Sequence, residues 1–491
     1  MNKTNNAILI NSHDNVAVVL TDIKSGDRVM DVVARCDIPV GHKIAIKDIA
    51  SGGNIIKYGS PIGSATTGIK PGEHIHTHNM KTKLASIEEY TYNPKNVNLQ
   101  TKQSATFSGF ERPDGQVGIR NEIWIINTVG CVNKTAELIV QKARASGKTD
   151  DIYTFSHPYG CSQLGDDHVH TRQTLINMVN HPNAAGVLVL GLGCENNNIE
   201  GFKQALGSWD DDRVKFLNTQ DVSDEVSEGI KLVDELVAYA ATYKRTEIPA
   251  SKLIVGLKCG GSDGFSGITA NVLVGSFTDL LISQGGTCIL TEVPEMFGAE
   301  TLLLNRAKDK KTFDKIVSLI NDFKQYFIEH DQEIYENPSP GNKEGGISTL
   351  EEKSIGCTQK GGNSHVVDVL NYGETVKQSG LNLLQGPGND LIAVTNLMAA
   401  GAHIVLFTTG RGTPYGGPVP TVKISSNTAL SKKKSHWNDF NAGVLLDGEA
   451  LSNLTDSFFK YILSVAEGST KTQNELNGYR EISIFKSGVT L

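Results

Sequence analysis

The sequence predicts a multidomain α/β protein: a small β-rich unit, then two α/β units built on parallel sheet. Three observations carry this. The chain has 491 residues, more than one hydrophobic core accommodates. From residue 109 onward, apolar runs of strand length are each followed by a glycine-bearing turn and a helix-like segment, the pattern of a parallel sheet covered on both faces. Residues 1–92 show only short alternating runs between glycine turns, with no helical period.

In the β-rich unit the runs are "AVVLTDI" and "HKIAIKDI", and the turns are "KSGD", "PVGH", "ASGGN" and "KPGE". Near its end, "PGEHIHTHNM" reads as a strand on which His74, His76 and His78 project to one face, about 6.6 Å apart. Imidazoles in that register suit metal chelation or proton transfer at neutral pH; a merely polar face is the alternative. Residues 93–108, "NPKNVNLQTKQSATFS", are polar and aperiodic and read as a linker that can swing the unit over a cleft.

The middle α/β unit, 109–246, opens with "EIWIINTVGC", ending at Cys131. "DIYTFSHPYGC" ends at Cys161, "GVLVLGLGC" at Cys194, and "VKFLNT" leads into a helical segment. A soft break at "KRTEIPASK" (244–252) precedes the C-terminal unit, 247–491. There the same grammar resumes in "KLIVGLKCGGSDG", "GTCILTEVPE", the amphipathic "TFDKIVSLINDFKQYFIEHDQ", "LNLLQGPGND" and "HIVLFTTGRGTPYGG". Residues 343–362 form a polar, glycine-rich excursion that reads as a lid or a mobile insertion.

Bulk properties narrow the function. Net charge is −8 and no basic tract offers a footprint for nucleic acid; Lys432, Lys433 and Lys434 read as solvated surface. The start lacks the apolar core of a signal peptide, and no run approaches the ~18 apolar residues of a spanning helix. A soluble cytoplasmic protein without membrane partners is expected. Seven cysteines, an odd number with no C-x-x-C pair, do not form a secreted disulfide framework or a zinc ribbon.

Ligands of open α/β sheets bind beyond the carboxyl ends of the strands. Cys131, His157, Cys161, Cys194 and Glu195 lie just past such ends in the middle unit; Cys259, Asp263, Glu292, Glu295, Asn389, Asp390 and Arg411 do so in the C-terminal unit. Cysteines packed under turns are the bland reading; thiolate ligands, a sulfur cluster or active-site walls are the sharp ones. "CGGSDGFSG" (259–267) can offer backbone N–H groups to a carboxylate or phosphate, though it is no nucleotide fingerprint. Glu292 and Glu295 suit a hard cation or a solvated acidic turn. Arg411, with Tyr415 on the same loop, can clamp a carboxylate or pair with an acid.

"GEHIHTHN", "GIRNEIWI", "SHPYGCSQLGDDH", "GLGCENN", "CGGSDGFSGITAN", "TEVPEMFGAE", "YENPSPGNK", "GCTQKGG" and "FTTGRGTPYGG" together resemble the altronate/galactarate dehydratase family over essentially the whole chain. The resemblance implies an N-terminal β-clip of the SAF type and a C-terminal Rossmann-like domain, in a homodimer. It implies removal of water from D-altronate to give 2-dehydro-3-deoxy-D-gluconate, with galactarate or a related aldarate as the alternative substrate. A sugar-acid-binding protein without turnover is the remote alternative. It also implies Fe²⁺ or Mn²⁺, mononuclear in preference to an iron–sulfur cluster on Cys131, Cys161 and Cys194.

That chemistry needs a metal nest, a base, an acid and a carboxylate clamp. His76 and His78 are expected as acid and base, or to complete the metal shell. His157 with Cys161, and Glu292 with Glu295, are the expected metal groups. Lys258 or His157 is the alternative base. The loop of Gly260, Gly261, Ser262 and Asp263, with Arg411 and Tyr415, is expected to hold the substrate. Asp166, Asp167 and His168 are expected to cap and orient the helix that follows.

Overall fold

The computed structural model describes residues 2–4, 6–84, 87–95, 97 and 100–491. The N-terminal unit consists of short strands: β1 (Asn2–Lys3), β2 (Ala7–Leu9), β3 (Val16–Val19), β4 (Arg28–Val29), β5 (Val32–Val33), β6 (Lys43–Ala45), β7 (Asn54–Lys57), β8 (Ser60–Ala65), β9 (His74–Ile75) and β10 (Met80–Lys81). They form an antiparallel sheet in the order β1-β2-β3-β6-β9, a second sheet β10-β8-β7 and the hairpin β4-β5. The unit has a small core of its own, built on Ala17, Val19, Ile23, Val29 and Ile44, and extends it by docking on the body. Its Val16, Ile55, Ile62 and Met80 share one cluster with Ala299 and Ile355 of the C-terminal unit, and its Ile8 and Val18 share another with Phe265 and Ile268.

The expected histidine strand is shorter than the pattern suggested. Pairing stops at β9, where Lys43 faces Ile75 and Ile44 faces His74. The chain then turns through His76–Asn79, because the Asn79 side chain accepts the His76 N–H at 3.1 Å and donates to the His74 carbonyl at 2.9 Å. His74, His76 and His78 therefore gather around a turn instead of lining a strand face. The antiparallel register adds His42, one residue before β6, opposite His76.

The expected free linker is a strap. Leu84, Tyr90, Tyr92 and Ala105 pack on the C-terminal core, and the backbone N–H groups of Lys95 and Lys102 donate to Asn305 and Ser283 at 2.8 Å each. Residues 85, 86, 96, 98 and 99 of this stretch lie outside the described residues. The strap runs into β11 (Thr106–Glu111), which pairs antiparallel with β12 (Val117–Gly118) and β17 (Arg245–Pro249). The soft break at 244–252 is thus itself a strand, and it ties the exit of the middle unit to its entry.

Between them the middle sheet holds β13 (Glu122–Asn127), β14 (Ile152–Thr154), β15 (Ala184–Gly191) and β16 (Val214–Asn218), all parallel, in the order β14-β13-β15-β16. Every residue of β15 is buried, as a strand covered on both faces requires. The C-terminal sheet has seven parallel strands: β18 (Ile254–Cys259), β19 (Thr287–Leu290), β20 (Val366–Leu370), β21 (Gly380–Leu384), β22 (Ile404–Thr409), β23 (Thr421–Ser425) and β24 (Phe440–Asn441). Their order is β20-β21-β19-β18-β22-β23-β24. The chain fills one side of β18, then crosses to the other at β22. That switch point is where a doubly wound sheet leaves a crevice, and Cys259 ends the strand that borders it.

Residues 343–362, expected as a lid, instead contain the helix Leu350–Thr358, in which every residue is buried. The charged side chains of Glu351 and Glu352 are matched by Thr82, Lys83, Lys43 and Lys57, far away in sequence. Among the described residues, no helix is long and apolar enough to cross a membrane.

Candidate active site

A cavity of about 680 Å³ opens at the carboxyl edge of the C-terminal sheet. Cys259, Gly260 and Gly261 from the β18 turn, Glu295, Lys353, Asn389 and Asp390 line it. At its base the Cys259 and Cys357 sulfurs lie 3.2 Å apart, and both donate to Glu295 Oε2, at 3.0 and 3.1 Å. These three ligand atoms lie within 4.8 Å of one another, a grouping able to hold a metal ion. Two sulfurs and one carboxylate are a soft-to-borderline donor set of the kind that suits a transition-metal ion.

The charge around this group is balanced. Lys353 reaches Glu295 Oε1 at 2.7 Å. Lys258 pairs with Glu292, and with Asp390 at 2.9 Å, while Lys360 stands 3.3 Å from Glu292. Glu292 also accepts the Cys259 N–H at 3.0 Å. Its backbone is left-handed, with φ 70°, a conformation that costs about 1–3 kcal/mol outside glycine and persists only where surrounding contacts hold it. Burial pushes the Glu295 carboxyl up, but the Lys353, Lys258 and Lys360 ammoniums outweigh it and hold it below the usual carboxylate range. Burial alone would lower Lys258; Glu292 and Asp390 reverse that and hold it well above an ordinary lysine. Lys258 is therefore a locked ammonium, contrary to its expected role as a base.

A second cluster lies where the N-terminal unit meets the body. His42 Nδ1 is 3.0 Å from His74 Nε2, and His76 Nδ1 is 2.8 Å from Ser348 Oγ. The His78 ring lies 5.2 Å from that of His74. Burial, followed by the charges of its histidine neighbours, brings His74 down to about 3; burial and Lys43 bring His76 down to about 4. Both are neutral at physiological pH. Beneath them Glu352 accepts from Lys43 and Lys57, each at 2.8 Å, and from the Ser348 N–H at 2.8 Å.

The remaining expected residues are placed elsewhere or engaged. Cys131, Cys161 and Cys194 are exposed on loops of the middle unit, so Cys161 does not join Glu292 and Glu295, which belong to another sheet. His157 is buried; its Nε2 donates to the Asn127 carbonyl at 2.8 Å and its Nδ1 accepts the Tyr159 N–H at 3.1 Å, leaving no free nitrogen. The Asp263 carboxylate accepts from Ser266, Ser426 and Asn427 and braces its own loop. Ser262 is buried, and so is Tyr415, whose hydroxyl finds no partner in a protein-only environment. Arg411 pairs with Glu344 at 2.8 Å. Asp166 and Asp167 sit in the first turn of the helix Gly165–Val179, whose N-cap Leu164 has no side-chain cap; Asp167 instead receives the N–H groups of Ser487 and Gly488. His168 binds Arg172 at 2.9 Å on the same helix.

Three family models cover the chain in sequence. The altronate/galactarate dehydratase SAF domain matches residues 5–83, the D-galactarate dehydratase/altronate hydrolase second domain matches 109–241, and the D-galactarate/altronate dehydratase C-terminal domain matches 250–490. The chain belongs to the D-galactarate/altronate dehydratase family. Within this family it is 54% identical to an altronate dehydratase of Bacillus subtilis and 53% identical to one of Escherichia coli, each over 99% of both chains. A galactarate dehydratase (L-threo-forming) of Escherichia coli is 32% identical over 97% of this chain and 96% of its own length.

Sequence reasoning did not assign His42, Lys43, Lys57, Glu352, Lys353 or Cys357 to the two side-chain clusters they join here. One local signal existed: Thr349 and Glu352 stand at capping-box spacing, and Thr349 does cap the helix Leu350–Thr358. His42, Lys43 and Lys57 arrive only with the docking of the N-terminal unit, and Lys353 and Cys357 only with the packing of that helix against Glu295 and Cys259.

Proposed function

We propose that the chain is an altronate dehydratase, a hydro-lyase that converts D-altronate to 2-dehydro-3-deoxy-D-gluconate. The full-length likeness to two altronate dehydratases supports the substrate. The observation that carries the chemistry is the Cys259–Glu295–Cys357 group at the foot of a cavity, one wall of which, Lys343 and Lys353, flanks the segment that His42 and His76 contact at Glu344 and Ser348.

The C2 proton of a hydroxy acid is weakly acidic because its removal builds charge on the neighbouring carboxylate. A divalent ion, Fe²⁺ in preference to Mn²⁺, held by Cys259, Glu295 and Cys357 would supply Lewis-acid stabilisation of that charge. The protein's own residues do the rest. Lys353 fixes Glu295 in place and, with Lys258 and Lys360, keeps its carboxylate ionised, while Lys258 and Lys360 anchor Glu292. Gly260 and Gly261 leave the cavity floor open at the switch point. The histidine cluster, with His74 and His76 held neutral, takes the C2 proton and returns one to the leaving 3-hydroxyl, which departs as water; the enol then becomes the 2-keto product. The reading includes a cytoplasmic homodimer.

The test is a panel of aldonates and aldarates offered to enzyme stripped by a chelator and then given Fe²⁺ or Mn²⁺. Release of 2-keto acid and a mass loss of one water are measured. Altronate is expected to turn over best, and only with added metal. Best turnover on galactarate would overturn the substrate; full activity without metal, or binding without loss of water, would overturn the mechanism.

A further inference from the structure

His42 has no place in the chemistry described so far, yet two contacts define its protonation. Its Nε2 lies 3.1 Å from the Glu344 backbone carbonyl. A carbonyl only accepts, so this nitrogen carries the hydrogen. The ring is buried next to the Lys43 ammonium, and both conditions oppose a second proton. Nδ1 is therefore a bare lone pair, and His74 Nε2, 3.0 Å away, must donate to it. A neutral His74 that donates through Nε2 has its own Nδ1 free of hydrogen.

The backbone is built to make this contact. A Cβ at Gly264 would come within 2.0 Å of the Gly41 carbonyl oxygen, and one at Gly346 within 2.4 Å. Only glycine at both positions lets the His42 strand approach the 344–346 segment so closely. Arg411, expected to clamp substrate, instead pairs with the exposed Glu344 side chain at 2.8 Å.

We propose that His42 is a positioning residue: it locks His74 in the Nε2–H tautomer, so that His74 Nδ1 is the nitrogen offered to the C2 proton of the sugar acid. This rests on the dehydratase reading for the identity of the proton, but not for the tautomer. The arrangement follows the general logic by which a second group fixes which nitrogen of a histidine base is bare. The groups facing the pair are Lys43, Glu352, His76 and His78.

The experiment uses full-length protein carrying ¹⁵N-histidine. Long-range ¹H–¹⁵N correlation separates N–H from bare ring nitrogens, and His74→Gln assigns the His74 signals by their loss. His74 is expected to show hydrogen on Nε2 and none on Nδ1 from about pH 6 to pH 9. In His42→Ala the His74 tautomers should mix, and kcat on altronate should fall by roughly 10²-fold with KM changed by less than about threefold. His42→Gln, whose amide both donates and accepts, should restore the tautomer and much of the rate. A wild-type His74 with hydrogen on Nδ1, or doubly protonated, overturns the proposal, as does an unchanged His74 spectrum in His42→Ala. Because nitrogen shifts read the tautomer without any turnover, failure here and failure of the dehydratase reading are distinguishable.

Discussion

Cys357→Ala is expected to abolish binding of the metal ion proposed at Cys259, Glu295 and Cys357, iron in that proposal, and to lower kcat/KM on altronate by roughly 10³-fold or more, since metal stabilisation of a developing carbanion is worth several kcal/mol. Cys357 comes from the helix Leu350–Thr358, whereas Cys259 ends β18 and Glu295 follows β19. Three separate elements thus converge on one point, which packing alone does not require. Alanine removes a single sulfur and leaves the charges of Glu295 and Lys353 paired, so the fold should survive. Glu295→Gln should also lose iron, but it leaves the buried Lys353 ammonium without its partner at 2.7 Å and should lower the Tm as well. Cys161→Ala is the comparison that separates the two assignments of the ion. Its thiol is exposed in the middle unit, and the variant should keep both metal and turnover. Metal content per chain, measured beside the rate and the Tm, decides. Iron retained in Cys357→Ala and lost in Cys161→Ala would move the ion to the middle unit.

That comparison exposes what sequence can carry. The β-then-α alternation was legible because continuous apolar runs such as β15 have no other stable place than inside a covered parallel sheet. The strand-end rule selected Cys259, Glu292, Glu295 and Asp390, which do surround one site. The same rule selected Cys161 and His157 equally well, since nothing in the local pattern says where one parallel sheet stops and the next begins. The histidines of "HIHTH" were visible as a cluster, but the turn that gathers them depends on Asn79, one side chain closing on its own backbone. The helix Leu350–Thr358 was hidden for a different reason. Besides Leu350 and Ile355, its burial rests on polar pairs: Glu351 receives Thr82 and Lys83, Glu352 receives Lys43 and Lys57, and Lys353 reaches Glu295. A segment of that composition looks solvated until its partners, some 270 to 310 positions earlier in the chain for the first two, are folded against it.

Glu352→Ala is the second substitution with a large expected effect, and it acts on docking. The Glu352 carboxylate is fully buried between Lys43 and Lys57 and is their shared counter-ion. Removing it strands two buried ammoniums, a loss of about 3–5 kcal/mol when one partner of a buried pair is deleted. The cost falls on the contact between the N-terminal unit and the body. The variant should therefore show a lower Tm, new proteolytic cleavage within residues 82–105 and loss of turnover as the histidine cluster separates from Glu344 and Ser348 of the body. Acid should do the same to the wild type. Burial pushes the Glu352 carboxyl up, but Lys43 and Lys57 outweigh it and hold it down to about 2, against an ordinary 4.5. A carboxyl depressed in the folded state contributes stability above its unfolded pKa and loses it as pH falls toward the folded one. Docking should thus weaken progressively from about pH 4.5 down to about 2, and Glu352→Ala should flatten that part of the pH–stability profile. A variant as stable as the wild type at neutral pH, with the strap still resistant to protease, would mean that the apolar contacts of Ile355 and Phe265 hold the unit without the charge triad.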